Sequence, residues 1–523
     1  MIKKNTLTIA LNIVFLMALS GFGYAQIDGD AVFKNDQIIQ IELTFHQISF
    51  FDSLEANYIT GEYMKADLLL TDSTGSYTYL NVGIRLKGNS TYNHPNDKKA
   101  FKIDFNEYVS GQKHDGLKKL NFSNNFKDPS MMREKVFFDV CADAGVQVPR
   151  SNFANVYFNG TLWGLYTVVE QIDDQFLDWS ILDDDGNLFK AGDNFGTSNT
   201  PADLIYYGSI ASDFTDRYEL KTNEDVDDWT DLISLLDFIN NSSGFDFTEN
   251  LHSKMELTEY LRSVALDNMF SNLDSYTGSA RNYYVYHNMT TDKWEWIKWD
   301  GNESFGSYSA GGGPAGGTNN LNLDPDYHDT DRPLLENIFA SSGLYNEYLM
   351  EYCDIMGEHF NSSYIDPIID GHKALIQSSV YADNKKMYTN AEFDTNIDSD
   401  ISSGGGPGGG NIYGLKSFIQ SRVSYLEGVV DCSLFTSVHE NDWSNQIEIY
   451  PNPANSEVVL SWGNKDVLRV TVFNTIGIEK YSNYQTSNSL LTIDVSDWTN
   501  GMYVVQIVGV DGSFSTGVLS VTK

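Results

Sequence analysis

Trp296-Ile297-Lys298-Trp299 is an aromatic-rich run that stops at Asp300, and Gly301, Asn302, Glu303, Ser304, Phe305 and Gly306 follow it. Aromatic and branched side chains favour a strand, so the pattern sets a charged oxygen at the rim of a core. Carboxylate and amide oxygens so placed can hold a hard divalent cation, and phosphoryl-transfer enzymes keep a metal-binding Asp at such a position. A strand end followed by an ordinary Asp-Gly turn fits the same letters. The segment therefore needs partners elsewhere in the chain.

Phosphoryl transfer asks for cations on the phosphates, acidic and amide oxygens on a metal, and a base near the acceptor hydroxyl. Lys87-Gly88-Asn89-Ser90 ends a strand-like run, and its backbone N–H groups could approach phosphate oxygens. Arg85 and Lys87 share parity with Gly83 and oppose Val82, Ile84 and Leu86, so they either line a cleft or face water. Lys99 shares parity with Phe101, Ile103 and Phe105, which predicts an inward ammonium in need of an anion. Lys98 competes with it if the strand starts elsewhere, and the opposite parity of Lys102 predicts a solvated side chain.

The elements that must position these groups read as strands at 39–45, 82–87 and 101–105, where apolar and polar residues alternate. Asp128-Pro129-Ser130 predicts a helix start, with apolar positions through Val140 and Gly145 as its end. Strands at 154–158 and 162–169 flank Asn159-Gly160, a hairpin turn. Residues 227–270 read as helical, 282–299 as a second hairpin, and 332–372 and 413–430 as helices. The glycine-rich stretches at 311–317 and 404–410 lack the Gly-Lys-Ser/Thr ending of a P-loop and read as surface loops. After Cys432 the texture becomes short β runs at 447–450, 457–462, 467–474, 490–495, 502–508 and 515–521, which predicts a separate small β-sandwich.

A chain of 523 residues is too long for one core, so at least two domains are expected. Met1-Ile2-Lys3-Lys4, the apolar run that follows and Gly23-Tyr24-Ala25-Gln26 read as a secretory signal peptide cut after Ala25. No later segment is apolar for the ~20 residues of a membrane helix. With 34 Lys+Arg against 72 Asp+Glu, nonspecific nucleic-acid binding is not expected. Cys141, Cys353 and Cys432 make no disulfide scaffold. Cys353 and Cys432 could pair, which the sequence leaves open, and no His or Cys cluster has zinc spacing.

Two resemblances follow from ordered blocks. Ile449-Tyr450-Pro451-Asn452-Pro453-Ala454, Val472-Phe473-Asn474-Thr475-Ile476-Gly477, Ile493-Asp494-Val495 and Gly501-Met502-Tyr503-Val504-Val505 resemble the type A C-terminal sorting domain of the type IX secretion system of Bacteroidota. That implies export through the type IX machinery, with the protein released or anchored at the outer membrane. The body resembles the spore coat protein H (CotH) kinase family. The blocks are Arg85-Leu86-Lys87-Gly88-Asn89-Ser90, Lys98-Lys99-Ala100-Phe101-Lys102-Ile103, Leu120-Asn121-Phe122, Asp128-Pro129-Ser130 with Arg133, and Phe158-Asn159-Gly160. They continue through Trp163-Gly164-Leu165-Tyr166, Glu170-Gln171-Ile172-Asp173, Asn187-Leu188-Phe189-Lys190, Asn272-Leu273-Asp274, Asn282-Tyr283-Tyr284 and Trp299-Asp300.

The second resemblance implies an α+β, two-lobed, atypical protein-kinase-like fold, followed by an immunoglobulin-like β-sandwich. The expected division is a signal peptide at 1–25, the kinase-like domain at 26–431, a linker at 432–446 and the sorting domain at 447–523. The implied activity is transfer of the ATP γ-phosphate to Ser or Thr of exported proteins, with Mg²⁺ or Mn²⁺. It also implies Asp274 as base or acceptor-orienting residue, and Asn282 with Asp300 and Asn302 as metal ligands. Arg85, Lys87, Gly88, Ser90 and Lys99 would serve the nucleotide. Glu134 would position the phosphate-binding lysine, with Glu170 as the alternative or as an adenine-side contact. Many family members carry Asp two residues after the Trp-Asp pair, where this chain has Asn302 followed by Glu303. That substitution favours a second reading, a catalytically silent surface binding protein. A carboxylate-pair glycoside hydrolase is a poor fit, because Asp300 and Glu303 are too close in sequence to flank a cleft.

Overall fold

The computed structural model describes residues 27–34, 36–88, 90–192, 200–308, 318–323, 331–403, 410–433, 447–462, 467–474, 479–486, 490–509 and 514–523. The expected signal peptide, Asn89 and the stretches 311–317 and 404–409 lie outside them, as does the side chain of Ser90.

Alternating apolar residues build a closed barrel in the order β1-β2-β3-β4-β5-β7-β6. Its strands are β1 (Ile39–Thr44), β2 (Met64–Asp72), β3 (Gly75–Leu86), β4 (Phe101–Asp104), β5 (Lys119–Ser123), β6 (Ser151–Phe158) and β7 (Thr161–Glu170). Parallel pairing of β1 with β6 closes it. Ile39, Ile41, Leu43, Leu68, Ile84, Ile103, Phe122, Val156 and Val168 share one core inside. Asn159 and Gly160, both at positive φ, make the expected turn between β6 and β7. Helices α1 (Phe50–Ala56) and α2 (Ser90–Asn93) lie between strands, and α3 (Arg133–Asp143) follows β5. The predicted start of α3 at Pro129 is corrected. Asp128 closes a turn by accepting from the backbone N–H groups of Ser130 and Arg133, so the helix begins at Arg133.

After α4 (Asp174–Ser180), a second sheet runs β11-β10-β8-β9, with β8 (Leu188–Ala191), β9 (Tyr218–Leu220), β10 (Tyr283–Asn288) and β11 (Lys293–Lys298). Between β9 and β10 lie α5 (Thr230–Asn241), α6 (Gly244–Lys254) and α7 (Leu257–Met269), the predicted helical stretch. Then come α8 (Pro333–Ala340), α9 (Ser342–Glu358), α10 (Ser362–Ala382), α11 (Asn390–Asp398), the short pair β12 (Ile401–Ser403) and β13 (Gly410–Ile412), and α12 (Leu415–Val429). The apolar faces of α3, α7, α9, α10 and α12 join one large core with β10 and β11. A disulfide joins Cys353 on α9 to Cys432, while Cys141 is buried as a thiol.

The C-terminal part forms a three-stranded sheet, β14-β15-β18, and a four-stranded sheet, β17-β16-β19-β20, around a shared core. Its strands are β14 (Glu448–Tyr450), β15 (Glu457–Ser461), β16 (Val467–Asn474), β17 (Glu479–Thr486), β18 (Leu490–Asp494), β19 (Gly501–Gly509) and β20 (Phe514–Val521). Only β17 lacks a counterpart among the predicted runs, because its Lys480, Ser482, Asn483 and Gln485 mask the β signal. The chain is α+β throughout residues 27–433 and β-rich after 447.

Candidate active site

The end of β3 delivers Lys87, whose backbone N–H donates to Ala100 O at 2.9 Å. Gly88 then turns at φ +83°, where a Cβ would come within 2.1 Å of Thr91 Oγ1, so no side chain fits. Lys87 is half-buried; its Nζ reaches Asn121 Oδ1 at 3.4 Å and lies 5.0 Å from the Trp299 ring. Burial pulls its ammonium down to about 8, against the opposing charges of Asp300 and Glu134.

Glu134 sits in the first turn of α3, buried, and its Oε2 has no hydrogen-bond partner. Burial raises its carboxyl to about 8, the Asp300 charge adds to this, and the Ser123 hydrogen bond and Lys87 offset part of it. A carboxyl raised from its ordinary 4.5 holds a proton that the unfolded chain has released, so wild-type stability falls as pH climbs from 4.5 through about 8. Glutamine cannot ionise. The melting temperature of Glu134→Gln, relative to wild type, should therefore rise by several degrees between pH 5 and pH 8, as measured by scanning fluorimetry across buffers.

β11 ends at Lys298, and Asp300 follows in the left-handed region at φ 56°. The Asn302 backbone N–H donates to its carboxylate, while Oδ1 is buried without a partner. Burial raises Asp300 to about 6, with Asp274 adding and Lys87 opposing. Gly301 is required by contact: an added Cβ would lie 2.3 Å from Phe137 Cδ1, on the helix that carries Glu134. Gly301→Ala should cost about 1–3 kcal/mol by overpacking, read by chemical denaturation. Asn282, at φ 60°, donates from Nδ2 to Asp274 O at 2.7 Å, and its own carbonyl accepts from Trp299 N at 3.1 Å. Asn282 thus links the loop of Asp274, through its side-chain amide, to the residue before Asp300, through its backbone carbonyl.

These pieces border a cleft of about 270 Å³ between the barrel rim and the second sheet. Arg85, Lys87, Lys102, Lys190, Lys221 and Arg281 line it, against only Glu219 and Asp300. In a chain of net charge −38, six cations around one space mark an anion site. A smaller cavity beside it is lined by Lys87, Gly88, Glu134, Asp300 and Asn302.

The structure therefore brings together Arg85, Lys87, Gly88, Glu134, Asn282, Asp300 and Asn302, with Asp274 held behind Asn282. Three expectations are corrected: Lys99 in the cleft, Glu170 beside the phosphate-binding lysine, and a solvated Lys102. Lys99 does not enter the cleft, because its ammonium is spent on the carbonyls of Tyr92 and His94. Glu170 points away, bonded to Arg150 through Nε at 3.0 Å and Nη2 at 2.5 Å, and to Trp179 Nε1 at 3.0 Å. Lys102 lines the cleft in place of Lys99. It is the cross-strand partner of Arg85, donates to Gln171 Oε1 at 2.6 Å, and has its ammonium pushed well down by burial and by Arg85 and Lys87. Lys190 closes one of the blocks that carry the resemblance but had no role assigned, and Lys221 and Arg281 carried no sequence signal, since only folding gathers the three.

Asp300 offers a buried carboxylate oxygen with no partner, next to the Asn302 amide, an oxygen donor set that suits Mg²⁺ or Mn²⁺. Among the described residues, no three His, Cys, Asp or Glu side chains gather into a metal site. Such a cation would take few protein ligands and complete its shell from phosphate oxygens and water, as Mg²⁺ commonly does.

Comparison with known proteins agrees with this layout. Residues 84–426, well over half of the chain, match the family model described as CotH kinase protein. Residues 448–518 match the secretion system C-terminal sorting domain, which marks the chain for type IX secretion to the cell surface or extracellular space. No helix among the described residues is long and apolar enough to cross a membrane. The inner spore coat protein H of Bacillus subtilis (strain 168) is 29% identical over 209 residues, covering 40% of this chain and 55% of that relative. The chain thus spans little more than half the length of the curated relative it matches. With the family's match running from the end of β3 to α12 and enclosing every residue of the cleft, the chain belongs to the CotH kinase protein family.

Proposed function

We propose that residues 26–431 form a secreted atypical protein kinase with a two-lobed, kinase-like arrangement, and that 447–523 serve its export. It transfers the γ-phosphate of ATP to Ser or Thr of exported or surface proteins. The observation that carries this reading is the orphan Asp300 Oδ1 at the edge of a cleft lined by six cations. A triphosphate fits the cations, and a divalent cation between it and Asp300 would draw charge from the transferring group.

In this reading Arg85, Lys87 and Lys102 bind phosphate oxygens, and the N–H groups after Gly88 approach them. Glu134 positions Lys87. Asp300 and Asn302 hold the metal with Asn282, and Asp274 orients the acceptor hydroxyl and takes its proton. The oxygen of that hydroxyl forms the new bond to phosphorus as the bond to ADP breaks.

The protein without residues 1–25 and 447–523 is incubated with labelled ATP, Mg²⁺ or Mn²⁺ and a generic protein acceptor. Incorporation that is lost in Asp274→Ala supports the kinase, and equal labelling by wild type and variant sinks it. Binding is checked by melting temperature, since a ligand at 100 times its Kd stabilises by about 2.7 kcal/mol. Asn302 favours one second reading, a silent kinase-like binder, because it removes a charge from the metal side of the cavity. A melting shift with ATP but no turnover would select it.

A further inference from the structure

We propose that Asp267, near the end of α7, is a positioning residue that sets Asp274 against Asp300; this rests on the kinase reading above. Its carboxylate is buried and makes two kinds of tie. Oδ1 accepts from Lys298 Nζ at 2.7 Å, with both side chains at most 5% exposed. Lys298 is the last residue of β11, two before Asp300. Oδ1 also accepts from Asn272 Nδ2 at 3.0 Å.

Asn272 and Ser275 bracket Asp274. Their loop is cinched by Asn272 N to Asp267 O at 2.8 Å and Ser275 Oγ to Asn272 O at 2.7 Å. One buried carboxylate thus holds both the loop of the acceptor-orienting residue and the strand that presents the metal ligand. Lys298 also reaches Phe137, its Nζ 5.5 Å from the ring. Phe137 is the ring against which Gly301 packs, so the same pair braces the Asp300 turn from beneath. None of these groups lines the cleft. The pair acts on the reacting atoms only through what it holds.

Transfer rates are sensitive to placement, and a displacement of about 1 Å can cost on the order of 10²-fold. The chemistry should suffer more than nucleotide binding, because the phosphate-binding cations stand on other elements.

The test uses the full chain without residues 1–25, with Lys298→Met, Asp267→Asn and the pair Asp267→Leu/Lys298→Met. Lys298→Met strands a buried carboxylate and should melt lower, whereas the paired apolar replacement should recover much of that loss. The kcat of the pair should nevertheless stay down by roughly 10- to 100-fold, with KM for ATP within about twofold of wild type. Asp267→Asn keeps an acceptor for Asn272 and Lys298 and should fall between wild type and the pair. A kcat that simply follows melting temperature across the set overturns the inference while leaving the kinase in place. So does a loss confined to KM. Absence of turnover in the wild type removes the kinase reading and this inference together.

Discussion

Asp300→Asn should reduce phosphate transfer on the order of 10²- to 10³-fold, the usual loss when one charge-stabilising group is removed from a reacting centre. The replacement is nearly isosteric and keeps an oxygen for the Asn302 backbone N–H, so the turn at φ 56° has no reason to move. What it removes is the charge on a buried carboxylate oxygen that has no protein partner. The same change should make the ligand-free protein more stable at pH 7.5. Asp300 is raised from 3.8 to about 6, so its ionisation costs stability as pH rises through 6, and that cost is fully present at pH 7.5. Its charge is also what pushes Glu134 up, after burial. Opposite signs for activity and melting temperature would mark a site strained for function. A variant with wild-type turnover would remove Asp300 from the metal, and a variant that loses both would make it merely structural.

The Asp300 turn was readable in the sequence because it is local: an apolar run, a carboxylate and a glycine state their geometry within a few residues. Parity along β3 likewise put Arg85 and Lys87 on one face, and that face lines the cleft. Parity failed one strand later. Ladder pairing in β4 begins at Phe101, so Lys99 stands before the strand and its alternation does not extend to it. Once Arg85 is known to oppose Lys102, cross-strand geometry puts both on one face. The cleft-side role of Glu170 comes from the resemblance alone, and the register of its hairpin explains why the carboxylate lies elsewhere. Counting back from the Asn159-Gly160 turn sets Glu170 opposite Pro149, but a bulge between Val156 and Tyr157 shifts the register by one residue. Ser151 then faces Val169, and Arg150 captures the carboxylate. A single unpaired residue, silent in the sequence, decided where a buried acid goes. Lys190, Lys221 and Arg281 needed still more, since they come from three separate segments that only the second sheet brings to the cleft.

Lys98, adjacent to the misread Lys99, carries the largest stability effect expected here. It is fully buried, and its ammonium meets Asp383 Oδ2 at 2.7 Å, with that carboxylate equally buried. Asp383 closes the C-terminus of α10 and also accepts from Leu165 N at 3.1 Å and Lys385 N at 2.9 Å. Gly164 has to be glycine for this contact, since a Cβ there would sit 2.6 Å from Asp383 Oδ2. Asp383→Ala leaves the Lys98 ammonium in the interior near the Tyr166 ring, 5.1 Å from its centroid, and should cost about 3–5 kcal/mol. Replacing both partners, Lys98→Met with Asp383→Leu, should recover most of that loss, since it is the stranded charge that is expensive. Denaturant titration of wild type and the two variants decides it, and a cost below ~1 kcal/mol for Asp383→Ala would mean that Lys98 finds water. What the pair secures is placement more than net stability. It fastens α10 to β7 and to the segment between β3 and β4, the chain that joins Lys87 to Lys102. A double variant that is stable yet binds Mg·ATP more weakly would show that this buried pair serves the shape of the cleft.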